Sequence, residues 1–365
     1  MVASSMTPPA ISEAPKVEEE TTGRHLDRVG TSARWGLIMT LINLVYADIM
    51  VARQLPPDPR QDSWLMMRSP LPTYLISLCY VLGVTHVGPW FMGSRKPLVG
   101  LRPLMVAYNT FQVVFSAWLL YEIGMGGWFT GYNLLCQSCD FTRDAKALRM
   151  LHASYWYYLS KFVDFLDTVF FVLTKKYEHI SPLHVVHHSL MPVNMWYGVR
   201  YQPGGHSSLM GLLNSFVHVL MYTYYLLAAM GPRVRPYLWW KKYLTSLQML
   251  QFVTVMLHSV QLAFRECPGV PPQVNWWICG NASMFLLLFA DFYRQAYSSR
   301  KAKRHENGKP SLVCGNESNG VVNGISNGTF YGISKDTPNN VSRREGVHTR
   351  QHRPQEGGRV LGGDS

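Results

Sequence analysis

Three uncharged stretches of 22 residues, 71–92, 209–230 and 243–264, limit what this chain can become more than any other feature. About 20 apolar residues suffice to cross the hydrocarbon core of a bilayer as a helix, where the backbone must satisfy its own hydrogen bonds. Four further runs join them. Residues 104–120 form a short apolar run that can extend at either end. Residues 150–173 are apolar and aromatic but carry Lys161, Asp164 and Asp167, while 183–197 is short and holds three histidines. The last, 274–289, extends toward Tyr297. An eighth stretch, 35–52, contains Asp48 between Arg34 and Arg53 and suits an amphipathic interfacial helix better than a span.

The expected fold is therefore an all-α polytopic membrane protein, a seven-transmembrane-helix bundle. Charged residues make up only 15% of the chain, against roughly 25% in soluble domains, which points the same way. Six cysteines in 365 residues are too few for a secreted disulfide scaffold. Four segments are expected: a disordered tail at 1–34, an amphipathic segment at 35–63, the membrane domain at 64–300 and a disordered tail at 301–365.

The net charge of +12 is distributed as topology demands. One alternate set of connections holds Arg95, Lys96 and Arg102, then Lys175 and Lys176, then Arg233, Arg235, Lys241 and Lys242, and finally Arg300, Lys301, Lys303 and Arg304. The other set has Arg143, Lys146 and Arg149, offset by Asp140 and Asp144, with Arg200 and Arg265. By the positive-inside rule the first set and the C-terminal tail are cytosolic. No nucleic-acid-binding motif accompanies the charge, so nucleic acid is not an expected partner. Sequons at Asn316, Asn327 and Asn340 fall on the cytosolic side, where they would not be glycosylated.

Ionisable groups at membrane depth are costly and mark function. Lys161, Asp164, Asp167 and Thr168 form K-x-x-D-x-x-D-T, within roughly 120° of one helix face. His184, His187 and His188 form H-x-x-H-H. Asn214, His218, Tyr222 and Tyr225 recur at helical spacing, and Gln248 and Gln251 add amides on a further span. A bundle can aim these four stripes at one cavity. For any single residue a structural role competes: Lys161 and Asp164 can simply neutralise each other, and the glutamines can be interhelical hydrogen-bond partners. Two chemistries are open to the histidines. Three could ligate one zinc ion, although adjacent His187 and His188 diverge by about 100° on a helix. Alternatively, an imidazole can serve as general base or nucleophile in acyl transfer.

Four motifs occur in order: S-K-F-V-D-F-L-D-T-V-F-F-V-L-T-K-K, L-H-V-V-H-H-S-L-M-P, N-S-F-V-H-V-L-M-Y-T-Y-Y and T-S-L-Q-M-L-Q-F. With W-L-M-M-R-S-P-L-P-T and R-P-L-M-V-A-Y-N upstream, they closely resemble the ELO family of very-long-chain fatty-acid elongases over about residues 64–300. Asp164 stands where the family pattern usually has Glu, and His179 matches neither common choice at its position. The resemblance implies a seven-helix endoplasmic-reticulum enzyme enclosing an acyl tunnel, an acyltransferase of the 3-oxoacyl-CoA synthase type. Its substrates would be acyl-CoA and malonyl-CoA, with no resident cofactor or metal. The implied catalytic set is His184, His187, His188, His218, Asn214, Lys161, Asp164 and Asp167. Tyr222, Tyr225, Gln248 and Gln251 would bind substrate, with Lys175, Lys176, Arg233, Lys241 and Lys242 facing the CoA phosphates or serving only as topology signals. It further implies a Cys136–Cys267 disulfide in the lumen. The implied partners are the other elongation-cycle enzymes (a ketoreductase, a dehydratase and an enoyl reductase) and a second copy in a homodimer. The Q-x-x-Q motif resembles the branch that handles long to very long chains.

Overall fold

The computed structural model describes residues 34, 38–39, 41–43 and 45–298. The expected tail at 301–365, the tail before Arg34 and part of 35–63 lie outside the described residues. Within them there is no strand; eight helices, beside a short apolar helix at Leu41–Ala52 and several single helical turns, build the molecule. These are α1 (Leu71–Gly93), α2 (Arg102–Trp128), α3 (Ala145–Val163), α4 (Phe165–Leu173), α5 (Pro182–Tyr201), α6 (Gly205–Ala229), α7 (Lys241–Val260) and α8 (Pro272–Tyr293). Three of them, α1, α2 and α6, are long and apolar enough to cross a membrane. The apolar run at 150–173 is not one continuous helix. It breaks at Asp164, where the Asp167 amide bonds the Asp164 carbonyl in a tightened turn.

The outer helices are inside out by the standard of a water-soluble protein. α1 buries Thr73, Ser77 and Tyr80 while Leu71, Leu75, Leu78 and Leu82 are exposed. On α2 the buried face carries Asn109, Gln112 and Ser116, and Phe111, Val114 and Trp118 face outward. Such a pattern is stable only where the surrounding medium is itself apolar and polar groups find partners inside. α5 differs, because it is buried almost all round, from Leu183 to Tyr201. Its start is set by Ser181, whose hydroxyl accepts from the His184 amide at 3.2 Å, and by Pro182 in the first turn. A helix surrounded by protein need not be uniformly apolar, which is why this segment is short of lipid-facing residues yet central.

The two ends of the bundle are distinct. At one end the Leu98 amide bonds the Leu173 carbonyl, and Arg102 donates to the carbonyls of Ala229 and Met230 at the end of α6. Cations suit that helix C-terminus. At the other end Arg200 donates to Asp58 and Asp62, Arg60 bonds Asp58 and the carbonyl of Thr142, and Cys136 is disulfide-bonded to Cys267. Gly205, at φ +60°, allows close approach to the Cys139 backbone: a Cβ there would lie 2.6 Å from its nitrogen. With α3 and α4 counted as one run from the Thr142 end to the Leu173 end, the contacts put the connections after α1, α4 and α6 at one end and the disulfide at the other.

Candidate active site

The break between α3 and α4 puts two carboxylates into the protein interior. Asp164 receives Lys161 Nζ at 3.2 Å, Gln112 Nε2 at 2.8 Å and the Tyr222 hydroxyl at 3.1 Å. Both charges of the Lys161–Asp164 pair are buried, with 2% and 6% of the side chains exposed. An ion pair withdrawn from water this far persists only with such additional hydrogen bonds. The shorter acid at 164 thus still reaches three donors from three helices. The Tyr222 hydroxyl also lies 2.9 Å from Asp167 Oδ2, so its single proton is shared between the two carboxylates and bridges them.

Lys161 and Tyr157 converge on α6 as well. The Tyr157 hydroxyl donates to Asn214 Oδ1 at 2.7 Å and Lys161 Nζ does so at 3.3 Å. Two donors on that oxygen fix the amide orientation and leave the Asn214 NH₂ as the group available to a ligand.

The histidines divide by partner. His184 Nε2 lies 2.8 Å from the Thr168 hydroxyl, itself bonded to Tyr80, so this ring is held in a relay across three helices. His188 packs against His184 with ring centroids 4.2 Å apart. His187 sits edge-on to Phe285 at 5.2 Å, and His218 edge-on to Tyr222 at 5.5 Å. Among the described residues no cluster of His, Cys, Asp or Glu has the arrangement of a metal site.

Two cavities meet at this cluster. One, with an empty volume of about 1540 Å³, is lined by all four histidines, Asp167, Asn214, Tyr222, Tyr225, Gln248, Gln251 and Lys241. The other, of about 980 Å³, runs along the far half of α5 between Met191, Met195, Val255, Ile278 and Phe285. His187, Asn214, Gln251 and Phe252 line both. Of the basic residues expected to meet phosphate, Lys241 lines the polar cavity. Lys175 instead donates to the Gly93 carbonyl at 3.2 Å, and Arg233 and Lys242 are exposed. Lys176 is half-buried in the same connection as Lys175 and outside the cavity lining.

Some members of the network escape a reading of the sequence. Gln112 and Tyr108 lie one helical turn apart on α2 and hydrogen-bond at 3.1 Å, and Tyr157 is one of many aromatics on α3. Amides four residues from a tyrosine in an otherwise uncharged span were the available signal. Glu178 and His179 also line the polar cavity, next to Ser181. At the disulfide end Cys136 is paired with Cys267 and burial pushes the nearby Cys139 thiol up to about 12, so Cys136 and Cys139 do not form a reactive pair.

Comparison with known proteins agrees with this architecture. A very long chain fatty acid elongase of Aedes aegypti is 54% identical over 248 residues, covering 68% of this chain and 69% of that protein. Very long chain fatty acid elongase 7 of Drosophila melanogaster is 47% identical over 305 residues, 80% of this chain and 92% of the relative. The rat protein of the same name is 46% identical over 254 residues, 69% and 90% of the two chains. Residues 65–305, which contain the carboxylate break, the histidine cluster and both cavities, match the family described as ELO: GNS1/SUR4. The chain belongs to the ELO family.

Proposed function

We propose that this protein is a condensing enzyme of fatty-acid elongation, joining a long or very-long-chain acyl-CoA to malonyl-CoA to give 3-oxoacyl-CoA, free CoA and CO₂. The observation that carries this reading is His187, an imidazole at the junction of a polar and an apolar cavity. An acyl chain suits the apolar cavity and the CoA arm suits the polar one, with Lys241 near its phosphates. In this reading the thioester carbonyl lies beside His187 and the joined cavities serve as the acyl tunnel.

In the first half-reaction the His187 nitrogen attacks the thioester carbon and the carbon–sulfur bond breaks. CoA leaves with the proton that the imidazole gives up. Malonyl-CoA then loses CO₂ and its enolate carbon attacks the acyl-imidazole; the acyl carbon–nitrogen bond breaks as 3-oxoacyl-CoA forms, and the ring nitrogen takes up one proton from water. The Asn214 NH₂ donates to the oxyanion in both steps. Lys161 and Tyr157 hold Asn214, while Asp164, Asp167 and Tyr222 balance the Lys161 charge. His184, His188 and His218 position His187 and relay its proton, with His218 the alternative nucleophile.

Seven crossings, an endoplasmic-reticulum membrane, a cytosolic basic end and a lumenal disulfide complete the reading. So do the other elongation-cycle enzymes and a second copy of the chain as partners. The test uses microsomes containing the protein, labelled malonyl-CoA and acyl-CoAs of graded length. Labelled 3-oxoacyl product in the wild type and its absence in His187→Ala is the expected result. No product from any acyl-CoA, with the protein folded, would overturn the reading.

A further inference from the structure

The face of α5 that carries His187 continues through Met191, Asn194, Met195 and Gly198, and all five line the apolar cavity. Asn194 is the exception in chemistry on this stripe beyond His187. Its side chain is buried, 6% exposed, and its Nδ2 donates to Asn281 Oδ1 at 3.0 Å. Asn281 Nδ2 donates in turn to the Trp277 carbonyl at 2.9 Å. A carbonyl can only accept, so Asn281 must face it with its NH₂ and must offer its oxygen to Asn194. Asn194 therefore has to present its own NH₂ there. What it leaves over is Oδ1, buried and without a hydrogen-bond partner among the described residues.

A buried amide oxygen lacking a donor is destabilising, and a cavity meant only for methylene groups would be better lined by Val or Met. We propose that Asn194 Oδ1 receives a hydroxyl on the acyl chain, so that the cavity favours a mid-chain hydroxyacyl group over the unsubstituted one. The proposal deepens the condensing-enzyme reading and rests on it. An alkene has no O–H to offer, and a keto or epoxide oxygen would set lone pair against lone pair, so neither satisfies this site.

Helix geometry gives the position. Seven residues separate His187 from Asn194, a rise of about 10 Å along α5. An extended chain of single bonds advances about 1.2 Å per bond. With the thioester carbon at His187, the hydroxyl belongs roughly eight to nine bonds farther along the chain.

The test competes hydroxyacyl-CoAs, with the hydroxyl near the thioester, at mid-chain or near the terminal methyl, against plain acyl-CoA of equal length. It uses microsomes containing the full chain. The wild type is expected to favour the mid-chain isomer in kcat/KM by about two- to tenfold, the worth of one net hydrogen bond, and to lose that preference at the other positions. Asn194→Val is expected to reverse the mid-chain preference. Equal or poorer use of the hydroxylated chain at every position would overturn the proposal and leave the oxygen to a buried water. A mid-chain preference that survives in Asn194→Val would overturn it too. Turnover of plain chains in the same assay keeps these outcomes separate from failure of the condensing reading, in which no acyl-CoA is extended and this proposal falls with it.

Discussion

The two cavities share α5, α6, α7 and α8 and four lining residues, yet they are held together by different physics. Around the polar cavity, position is set by directed bonds: Asp164 takes three donors, Asn214 takes two, and Thr168 links His184 to Tyr80. Along the apolar cavity, position is set by side-chain packing around Met191, Phe252 and Phe285, with the Asn194–Asn281 pair as a polar insertion. The contrast teaches that one region tolerates changes of volume and the other does not tolerate loss of a partner. Changes in the first should alter which chain is used, and changes in the second whether anything is used.

The sharpest way to break that contrast is to remove the proposed nucleophile while leaving the bonded frame. His187→Ala is expected to lower condensation by roughly 10²–10⁴-fold, with folding retained. Incubating wild type with labelled acyl-CoA alone should load one acyl group per chain, and mass spectrometry should map it to His187. Condensation without any such adduct would reassign His187 to general-base catalysis.

Next in size is the frame itself. Asp164→Ala leaves the Lys161 ammonium buried and unpaired and is expected to cost about 3–5 kcal/mol of stability. Thermal unfolding in detergent would read this out. The double variant Lys161→Met with Asp164→Leu should recover much of that stability without recovering activity, because apolar groups of similar volume can replace a buried pair. Failure to recover any stability would mean that the carboxylate is needed for its hydrogen bonds to Gln112 and Tyr222.

On the apolar side, Gly198 lines the cavity and a Cβ built there meets nothing within 4 Å. Gly198→Phe should fill open space without moving backbone. Its expected effect is at least about a tenfold loss of kcat/KM for the longest acyl-CoAs, where chain burial contributes about 0.8 kcal/mol per methylene, with short chains affected least. Equal loss at all lengths would show that the cavity does not receive the chain end.

The smallest effect is chemical. Because burial raises the Cys139 thiol from its ordinary value of 9.0 to about 12, the thiol form dominates at every pH below that value. Alkylation of the folded protein at pH 8 should therefore be roughly a thousandfold slower at Cys139 than at an ordinary thiol, and unfolding should abolish the difference. Fast labelling of the folded protein would show that the loop opens.

Much of the helix framework was legible in the linear chain because each span must exclude backbone polarity from lipid by itself. Long apolar runs announced α1, α2 and α6 for that reason. The break at Asp164 was not legible, since an acid in an apolar run reads equally as a buried ionic residue within a helix or as its end. Likewise H-x-x-H-H marked a site without saying which imidazole faces a ligand. His184 and His187 differ only in what packs against them: Thr168 from α4 for one, Phe285 from α8 and both cavities for the other.

Residue type and spacing along the chain were enough to assign an all-helical membrane architecture, the basic end, the polar stripes and the ELO resemblance. All of these rest on short-range periodicity or on transfer from water to lipid, which each segment undergoes for itself. Tertiary structure alone decided that Gln112 and Tyr157 join the network, that of the five cations expected at phosphate Lys241 lines the polar cavity, and that Asn194 Oδ1 has no hydrogen-bond partner among the described residues. Those facts depend on which donors from distant helices arrive at one atom, and a hydrogen bond exists only when both partners are within about 3 Å and aligned. Nothing in the order of residues along one helix fixes that distance to another.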